Sequence, residues 1–257
     1  MAAIQLTILG SGTSMGVPTL GCRCAVCKSQ DPRDKRMRAS VLLSWDGHNV
    51  VIDTTPDFRA QALRAGLQRL DAVIYTHAHA DHILGLDDIR PFNFHQRSTI
   101  PLYGSAETLD RIREQFGYIF RGGTEGSTVP GVELHEIVGR LQFHGVEILP
   151  VPAHHGPTSV LGFRVGRTGY LTDYSAVPES SKPLLSGLDD LILDALRHTP
   201  HVMHSTVAQS LALVEELKPK RAWFTHIAHD LGHAETNASL PEHVRLAYDG
   251  LTLEVHI

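Results

Sequence analysis

The sequence has few cysteines and no excess of positive charge. Only three cysteines occur in 257 residues, and an odd number of them fits a disulfide framework poorly. Lysine and arginine number 23 against 28 aspartates and glutamates, a formal net charge of −5. No strongly basic surface for nucleic acid or an anionic membrane is therefore indicated, although a local basic patch stays open.

Long hydrophobic runs are also missing. No apolar stretch approaches the roughly 18 to 20 residues that a membrane span needs, and residues 1–9 show no cationic region followed by a long apolar one. We therefore expect a cytoplasmic protein that makes no membrane contact.

The composition is that of a folded chain, because 42% of the residues are hydrophobic and 20% are charged. Short apolar runs such as 50–52, 72–75, 146–151 and 191–193 predict strands, and the segment 207–217 has helical spacing. The glycine-containing stretch 118–138 is expected to be a loop or meander. Predicted strands are followed by strands mixed with helices, and this pattern occurs twice along the chain. We therefore expect sheets packed on each other with helices outside. We predict a single domain over residues 1–257.

Histidine is abundant, with 17 copies. Four side chains that can bind metal, His77, His79, Asp81 and His82, stand within six residues directly after the predicted strand at 72–75. Imidazole nitrogens and carboxylate oxygens suit Zn, Mn or Fe, and a loop at a strand end can aim them at one point. This density favours a metal site over a solvated polar loop.

Further candidate ligands follow other predicted strands, namely His154, His155, Asp173 and His226. Strand ends that meet at one edge of the packed sheets would form two adjacent sites. A carboxylate has two oxygens and can serve two ions, so Asp173 is the natural bridge between them.

The remaining ligands divide into two sets. The first set is His77, His79 and either His154 or His155. The second set is Asp81, His82 and His226.

The three cysteines form a C-x-C-x-x-C motif, Cys22, Cys24 and Cys27, in an irregular stretch at about residues 15–38. Three thiolates are one ligand short of a closed tetrahedral zinc site, which a distant histidine can complete. The alternative is three free thiols in a reducing cytosol. The basic run at 33–38 could contact phosphate, although such runs are usually solvated.

The segment 76–82, together with His155–Gly156, Asp173 and His226, resembles the metallo-β-lactamase superfamily of binuclear hydrolases over nearly the whole chain. Segments 10–18 and 225–229 and the cysteine motif resemble, more narrowly, the PhnP-like phosphodiesterases, and the tRNA 3′-processing enzymes (tRNase Z) are similar. The resemblance implies an α/β (α+β) fold. This fold is an αββα sandwich of two mixed sheets with helices on the outer faces and the metal site along one edge.

The resemblance also assigns roles to individual residues. The family's ligand precedes a glycine, which selects His155 over His154. Asp53 corresponds to an acidic residue that orients a ligand from behind, with a plain turn aspartate as the alternative. His229 is nominated as the fourth ligand of the structural zinc, and His233 is held in reserve.

The proton donor to the leaving group is expected to be a histidine. His204 is favoured because the segment 204–206 resembles a His-Ser-Thr segment of the tRNA-processing enzymes, while His198 and His201 compete for the role. Asp81 is assigned to catalysis as well as to metal binding. The expected cofactors are two divalent ions, Zn or Mn, at the catalytic site and one structural Zn.

The first functional hypothesis is a metal-dependent phosphodiesterase acting on small cyclic or linear phosphodiesters. Processing of tRNA is second, disfavoured by the net charge and by the lack of an evident long arm for gripping tRNA. A lactonase, a β-lactamase or a PqqB-like biosynthetic protein would use the same fold. Related enzymes are often dimers, so the resemblance implies a homodimer.

Overall fold

A computed structural model describes residues 3–121 and 128–257 of the chain, and within them the strands form two seven-stranded sheets. In spatial order the first sheet consists of β14 (Thr252–Val255), β1 (Ile4–Gly10), β2 (Ser40–Trp45), β3 (His48–Ile52), β4 (Ala72–Ile74), β5 (Ile100–Gly104) and β6 (Val132–Glu136). The second consists of β13 (Val244–Leu246), β12 (Arg221–Thr225), β11 (Asp190–Asp194), β10 (Thr168–Leu171), β9 (Thr158–Val165), β8 (Val146–His155) and β7 (Leu141–Phe143).

Helices connect and flank these strands. They are α1 (Ala25–Lys28), α2 (Phe58–Arg64), α3 (Ala80–Ile83), α4 (Arg90–Gln96), α5 (Ala106–Gln115), α6 (Gly117–Phe120), α7 (Val207–Leu217) and α8 (His233–Ser239), with short 3-10 turns at Pro32–Asp34, Leu86–Ile89 and Lys182–Leu185.

Both sheets are mixed. In the first, β14, β1, β2 and β3 pair antiparallel and β3 to β6 pair parallel. In the second, β7 to β10 pair antiparallel and β10 to β13 pair parallel. The parallel halves need crossover connections, and most of these contain a helix, such as α2 between β3 and β4 and α7 between β11 and β12. The parallel strands therefore end at one common edge of each sheet.

Apolar side chains fill three layers. Between the sheets, Leu43 packs in the same cluster as Phe163. Phe58 of α2 belongs to the cluster that covers the outer face of the first sheet, and Val207 and Val214 of α7 belong to the cluster that covers the second. Helix, sheet, sheet and helix thus alternate, which confirms the predicted αββα sandwich.

Two segments differ from the sequence prediction. The strand expected at 146–151 continues to His155, because β8 pairs with β9 up to the partners His155 and Thr158. Pro150 and Pro152 are tolerated there because β7 pairs with β8 only as far as Ile148, so the two prolines lie beyond the end of that ladder. The expected loop at 118–138 includes all but the first residue of α6 and the whole of β6, and residues 122–127 of it lie outside the described part of the chain.

In the described ranges, no helix combines the length and the apolar character that crossing a bilayer requires.

Candidate metal centre

The ends of β3, β4, β8, β10, β11 and β12 deliver polar side chains to one edge of the sandwich. At three of these ends the chain turns through a left-handed conformation, with φ of +67° at Asp53, +49° at Asp173 and +54° at His226. Aspartate and histidine adopt this region more readily than most non-glycine residues. The sharp turns direct these side chains toward the gap between the two sheets.

The first group consists of three imidazoles. The ring centroids lie 4.5 Å apart for His77 and His79, 5.3 Å for His77 and His155, and 5.0 Å for His79 and His155. One nitrogen from each ring lies within 4.8 Å of the others. The exposed side chain of His154 points away from this group, since neighbouring residues on a strand face opposite sides. The structure therefore brings together the three histidines that the resemblance selected.

The second group consists of Asp81, His82, Asp173 and His226. His82 Nε2 lies 3.4 Å from Asp81 Oδ2 and 3.4 Å from Asp173 Oδ1. His226 Nε2 lies 3.3 Å from Asp173 Oδ2. These separations match two ligands that share one ion, because atoms bonded at about 2.0 to 2.2 Å to a tetrahedral ion lie roughly 3.3 to 3.5 Å apart.

Asp173 lies between the two groups. Its carboxylate belongs to the second group and also lies within 4.8 Å of the ring nitrogens of His155 and His204. Thr172 Oγ1 donates a hydrogen bond of 2.6 Å to Asp173 Oδ1 and fixes its rotamer. This is the position that a bridging carboxylate would occupy.

Buried imidazole nitrogens in this centre lack hydrogen-bond partners. Within residues 3–121 and 128–257, His77 Nε2, His82 Nε2 and His226 Nε2 are buried with no partner. Unpaired buried polar atoms are costly, and native proteins rarely leave them so. A metal ion is the partner that fits three converging imidazole nitrogens beside carboxylates.

Hydrogen bonds to Nδ1 orient these rings. His82 Nδ1 donates to Asp53 Oδ2 at 2.7 Å, and His155 Nδ1 donates to the carbonyl of Met203 at 2.7 Å. Thr76 Oγ1 donates to Asp53 Oδ2 at 2.8 Å and lies 3.0 Å from His77 Nδ1, from which it can accept. In His77, His82 and His155, Nε2 is therefore the free nitrogen, and the Asp53 carboxylate lies behind the rings of His77 and His82.

The carboxylates make this a centre that attracts positive charge. Burial alone would lower the pKa of His226, but the carboxylates of Asp173, Asp81 and Asp194 raise it to about 9. The pKa of His82 likewise rises well above its usual range against the effect of burial, because Asp173, Asp81 and Asp53 surround it. The negative charge that holds protons on these rings would equally favour a bound metal cation.

Beside the centre, His204 hydrogen-bonds through Nδ1 to Asp194 Oδ2 at 2.7 Å. Its ring stacks on that of His226, with 4.6 Å between the centroids. His198 is exposed, and His201 is exposed with its ring 5.1 Å from that of His204. Of the three histidines proposed as proton donor, His204 is the one held against the centre.

Sequence reasoning missed Asp194. This residue ends β11, directly after the apolar run 191–193, just as Asp53 follows the apolar run 50–52. Both carboxylates are fully buried. An aspartate at the end of a buried strand was therefore the signal that would have found it.

The cysteine motif near the N-terminus lies next to His229, which stands about 200 residues later in the sequence. Cys22 Sγ and Cys24 Sγ lie 3.3 and 3.4 Å from His229 Nδ1, and the four potential ligand atoms of this group, with Cys27, lie within 4.8 Å of one another. A hydrogen bond from the Cys27 backbone, aided by His229, lowers the pKa of Cys24 to about 6. A low thiol pKa favours the thiolate that binds zinc. His233 is not one of these four.

Arg36 of the basic run is buried and does not form a solvated face. Its guanidinium donates to Asp34 Oδ1 at 3.0 Å and to the carbonyls of Ala228 and Leu231 at 3.2 and 2.8 Å. These contacts join the cysteine-containing stretch to the segment that follows β12 and carries His226 and His229.

Two cavities flank the centre. One, of about 220 Å³, is lined by His77 and His79 and also by Glu107, Arg111, Gln115 and Ser159. The other, of about 180 Å³, lies on the His204 side and includes Met15, Leu196, Arg197 and His201. Side chains of the centre or its neighbour His204 line each of these cavities.

Comparison with known proteins identifies the family. The β-lactamase superfamily domain matches residues 48–227. The crystal structure of a diphosphatase from the PhnP family has a TM-score of 0.93 and 51% sequence identity, and the alignment covers 98% of this chain and 97% of that one. The chain belongs to the PhnP family of the β-lactamase superfamily.

The chain is also similar in sequence to proteins with other names. An octanoyltransferase of Porphyromonas gingivalis is 36% identical over 253 residues, which is 96% of this chain but 51% of that protein, so the chain spans about half of its length. The coenzyme PQQ synthesis protein B of Methylobacterium nodulans is 33% identical over 218 residues, covering 74% of this chain and 72% of that protein. The PhnP-family fold thus occurs in proteins of several activities, so the substrate must be argued from the site.

Proposed function

We propose that this PhnP-family protein is a two-metal hydrolase of phosphoric esters that acts on small phosphodiesters. The observation that carries the proposal is the position of Asp173 between two groups of metal-binding side chains. His77, His79 and His155 would hold one divalent ion, and Asp81, His82 and His226 the other. Asp173 would contribute one oxygen to each, and either Zn or Mn suits these donors.

Two adjacent divalent ions, when bound, supply a hydroxide nucleophile at neutral pH and stabilise charge on phosphoryl oxygens. The chain's own contribution is to hold the ligands in place. Asp53 fixes the ring of His82, and the Met203 carbonyl fixes that of His155. Asp81, on the first turn of α3, would direct its carboxylate to the second ion next to the reacting group.

His204 is suited to protonate the leaving group. Burial and the neighbouring His226 lower its pKa to about 4, so the ring is neutral near pH 7. Burial raises the pKa of Asp194, and the 2.7 Å contact requires one proton between Nδ1 and Oδ2. With that proton on Asp194 Oδ2, the neutral ring of His204 carries its own proton on Nε2. His204 would give the Nε2 proton to the leaving-group oxygen and take up the Asp194 proton at Nδ1, which leaves Asp194 as a carboxylate.

The two cavities indicate a small substrate. With the phosphoryl group at the metals, the leaving group would extend past His204 toward Met15 and Leu196. The cavity beside His79 holds Arg111, whose guanidinium could pair with a second phosphate. The 51% identical relative is described as a diphosphatase, so diphosphate-linked compounds belong among the first substrates to examine.

The test is hydrolysis of bis(p-nitrophenyl) phosphate by protein reconstituted with Mn or Zn. We expect metal-dependent turnover that Asp173→Ala abolishes together with metal binding. Asp110→Asn is the matched control, because this carboxylate lies exposed on α5, where it pairs only with Arg113 in the contacts of the described residues. Cyclic nucleotides, diphosphate diesters and tRNA precursors would then be compared by kcat/KM.

Wild-type protein that carries its metals and turns over none of these compounds would contradict the proposal. In that case lactones and β-lactams become the compounds to examine, followed by a PqqB-like biosynthetic role without hydrolysis. A preference for tRNA precursors that declines steeply with salt would instead favour the processing reaction.

A further inference from the structure

The cavity on the His204 side of the centre is bounded by three loops. Met15 comes from the loop after β1, Leu196 and His201 from the loop after β11, and Ala228 from the segment after β12. The cavity measures about 180 Å³, below the roughly 300 to 1,000 Å³ of sites that hold a whole drug-sized molecule. It therefore has room for one ring system of a substrate.

The loop that carries His201 is held in place by its own backbone. The N–H of Val207 donates to the carbonyl of Arg197 at 3.0 Å, which closes the base of the loop. The Arg197 guanidinium donates to the carbonyls of Thr199 and Pro200 at 3.2 and 3.3 Å. His201 is exposed, yet these bonds fix the segment that presents it to the cavity.

The hydrogen bonding of His201 decides which of its nitrogens can meet a substrate. The backbone N–H of Met203 donates to His201 Nδ1 at 3.2 Å. Because Nδ1 accepts this bond, the ring is neutral and its proton lies on Nε2. Among the described residues, Nε2 pairs with no other group. His201 is thus a neutral hydrogen-bond donor at the wall of the cavity.

This arrangement differs from that of His204. A bond accepted at Nδ1 disfavours a second proton on the ring, and partial burial together with the nearby His204 and Arg197 lowers the pKa of His201. His204 Nδ1 instead faces the Asp194 carboxyl, from which it can take up a proton. The two rings lie 5.1 Å apart. They border one cavity, where His204 is suited to proton transfer and His201 to donating a hydrogen bond.

The rest of the wall suits a flat, uncharged ring. Met15 is 57% exposed, and its thioether can contact an aromatic ring favourably. Leu196 and Ala228 add apolar surface. The charged side chains that line the cavity, Arg197 and Asp230, have opposite signs, so the lining does not favour an anion.

We propose that His201 is a specificity-determining residue, whose Nε2–H donates a hydrogen bond to an acceptor atom on an aromatic leaving group. Heteroaromatic alcohols are the class of leaving group that fits this cavity. The inference rests on the proposed function, because that function places the phosphoryl group at the metals and the leaving group beside His204.

The test compares methyl 3-pyridyl phosphate with methyl phenyl phosphate in protein reconstituted with Mn or Zn. The aryl oxygen leaves in both esters and the rings have the same shape, but only the pyridine nitrogen can accept a hydrogen bond. We expect His201→Phe, which keeps a flat ring without the N–H, to reduce the ratio of the two kcat/KM values by about 2- to 10-fold, the usual effect of one neutral hydrogen bond. The ring nitrogen also makes the leaving group more acidic, and this difference cancels when the ratios of wild type and variant are compared.

Two further variants and a kinetic signature distinguish this role from others. His201→Gln places an amide N–H near the position of Nε2 and should keep most of the preference. His198→Phe is the matched control, because His198 is exposed on the same loop and lies outside the lining of the cavity. The loss in His201→Phe should appear in KM and not in kcat, because the bond forms equally in the ground state and the transition state.

An unchanged ratio in His201→Phe, or an equal reduction in His198→Phe, would overturn the inference and leave the proposed function standing. The same conclusion would follow if a protein that hydrolyses bis(p-nitrophenyl) phosphate did not turn over the pyridyl ester. Metal-loaded wild type that hydrolyses none of these esters would contradict the proposed function itself, and this inference with it.

Discussion

His204 Nδ1 lies 2.7 Å from Asp194 Oδ2. The other oxygen of this carboxylate lies 3.9 Å from Nδ1 of His226, one of the side chains proposed to bind metal. Asp194 therefore stands between the proposed proton donor and the proposed metal site, and it is fully buried at the end of β11. A buried carboxylate is costly unless it is paired, and its 2.7 Å contact with His204 supports a role of Asp194 in positioning that ring.

Asp194→Asn should keep the metals but slow turnover by about 10- to 100-fold, the usual effect of losing a partner that orients a functional histidine. The loss should be larger for esters with poor leaving groups than for nitrophenyl esters, because only the former need a proton. Steady-state kinetics on both substrate types, with metal content measured in parallel, would show this.

A double-mutant cycle provides the control. If Asp194 acts through His204, the double variant His204→Ala/Asp194→Asn should lose no more turnover than His204→Ala alone. Additive losses, or equal losses for both kinds of leaving group, would count against the proton-transfer role.

Thr76→Val should weaken metal binding by about 10- to 100-fold. The hydroxyl of Thr76 joins Asp53 to the ring of His77, and valine has the same shape without it. Thr76→Ser keeps the hydroxyl and should bind metal normally. Competition with a chelator would measure the affinities, and equal values for the valine and serine variants would refute this function of Thr76.

Cys24→Ser should lose one zinc per chain and unfold at a lower temperature, while the metals proposed for catalysis remain. Serine can still accept the hydrogen bond from the Cys27 N–H that caps α1, so the change isolates the loss of a thiolate ligand. Elemental analysis before and after gel filtration would measure the zinc. An unchanged zinc content would favour three free thiols.

Arg36→Met should lower the free energy of unfolding by about 3 to 5 kcal/mol, because it leaves Asp34 buried without its partner. The guanidinium also satisfies two buried carbonyls on the segment after β12. Arg33→Met removes an arginine of the same run whose side chain is 48% exposed, and it should cost at most about 1 kcal/mol. Denaturant titration of both variants would compare them, with similar losses contradicting a special role for Arg36.

The edge that carries the proposed metal-binding side chains was predictable, because several of them follow an apolar run that ends abruptly. His77, Asp173 and His226 all come just after a buried strand. The choice of His155 over His154 depended on family resemblance in the sequence, and in the structure it follows from strand alternation, since only His155 is buried. Asp194 escaped notice because one aspartate at the end of a strand differs little from an ordinary turn residue.

Contacts between distant segments could not be predicted in this way. The 2.7 Å pair of His204 and Asp194 depends on how the loop after β11 folds back. The stacking of His48 on His144 depends on two turns in different sheets that meet at the edge of the sandwich opposite the candidate metal centre. Arg36 looked like part of a solvated run because its partners, the carbonyls of Ala228 and Leu231, lie far along the chain.

The amino-acid sequence by itself determined which side chains can bind metal and where they stand along the chain. The residue types, their spacing and the short apolar runs before them predict metal-binding side chains at strand ends. The folded arrangement supplied the pairing of those side chains with one another and with their orienting partners. The physical reason is that hydrophobic periodicity is local, whereas a contact of about 3 Å between distant residues depends on strand register, sheet packing and the path of each loop together.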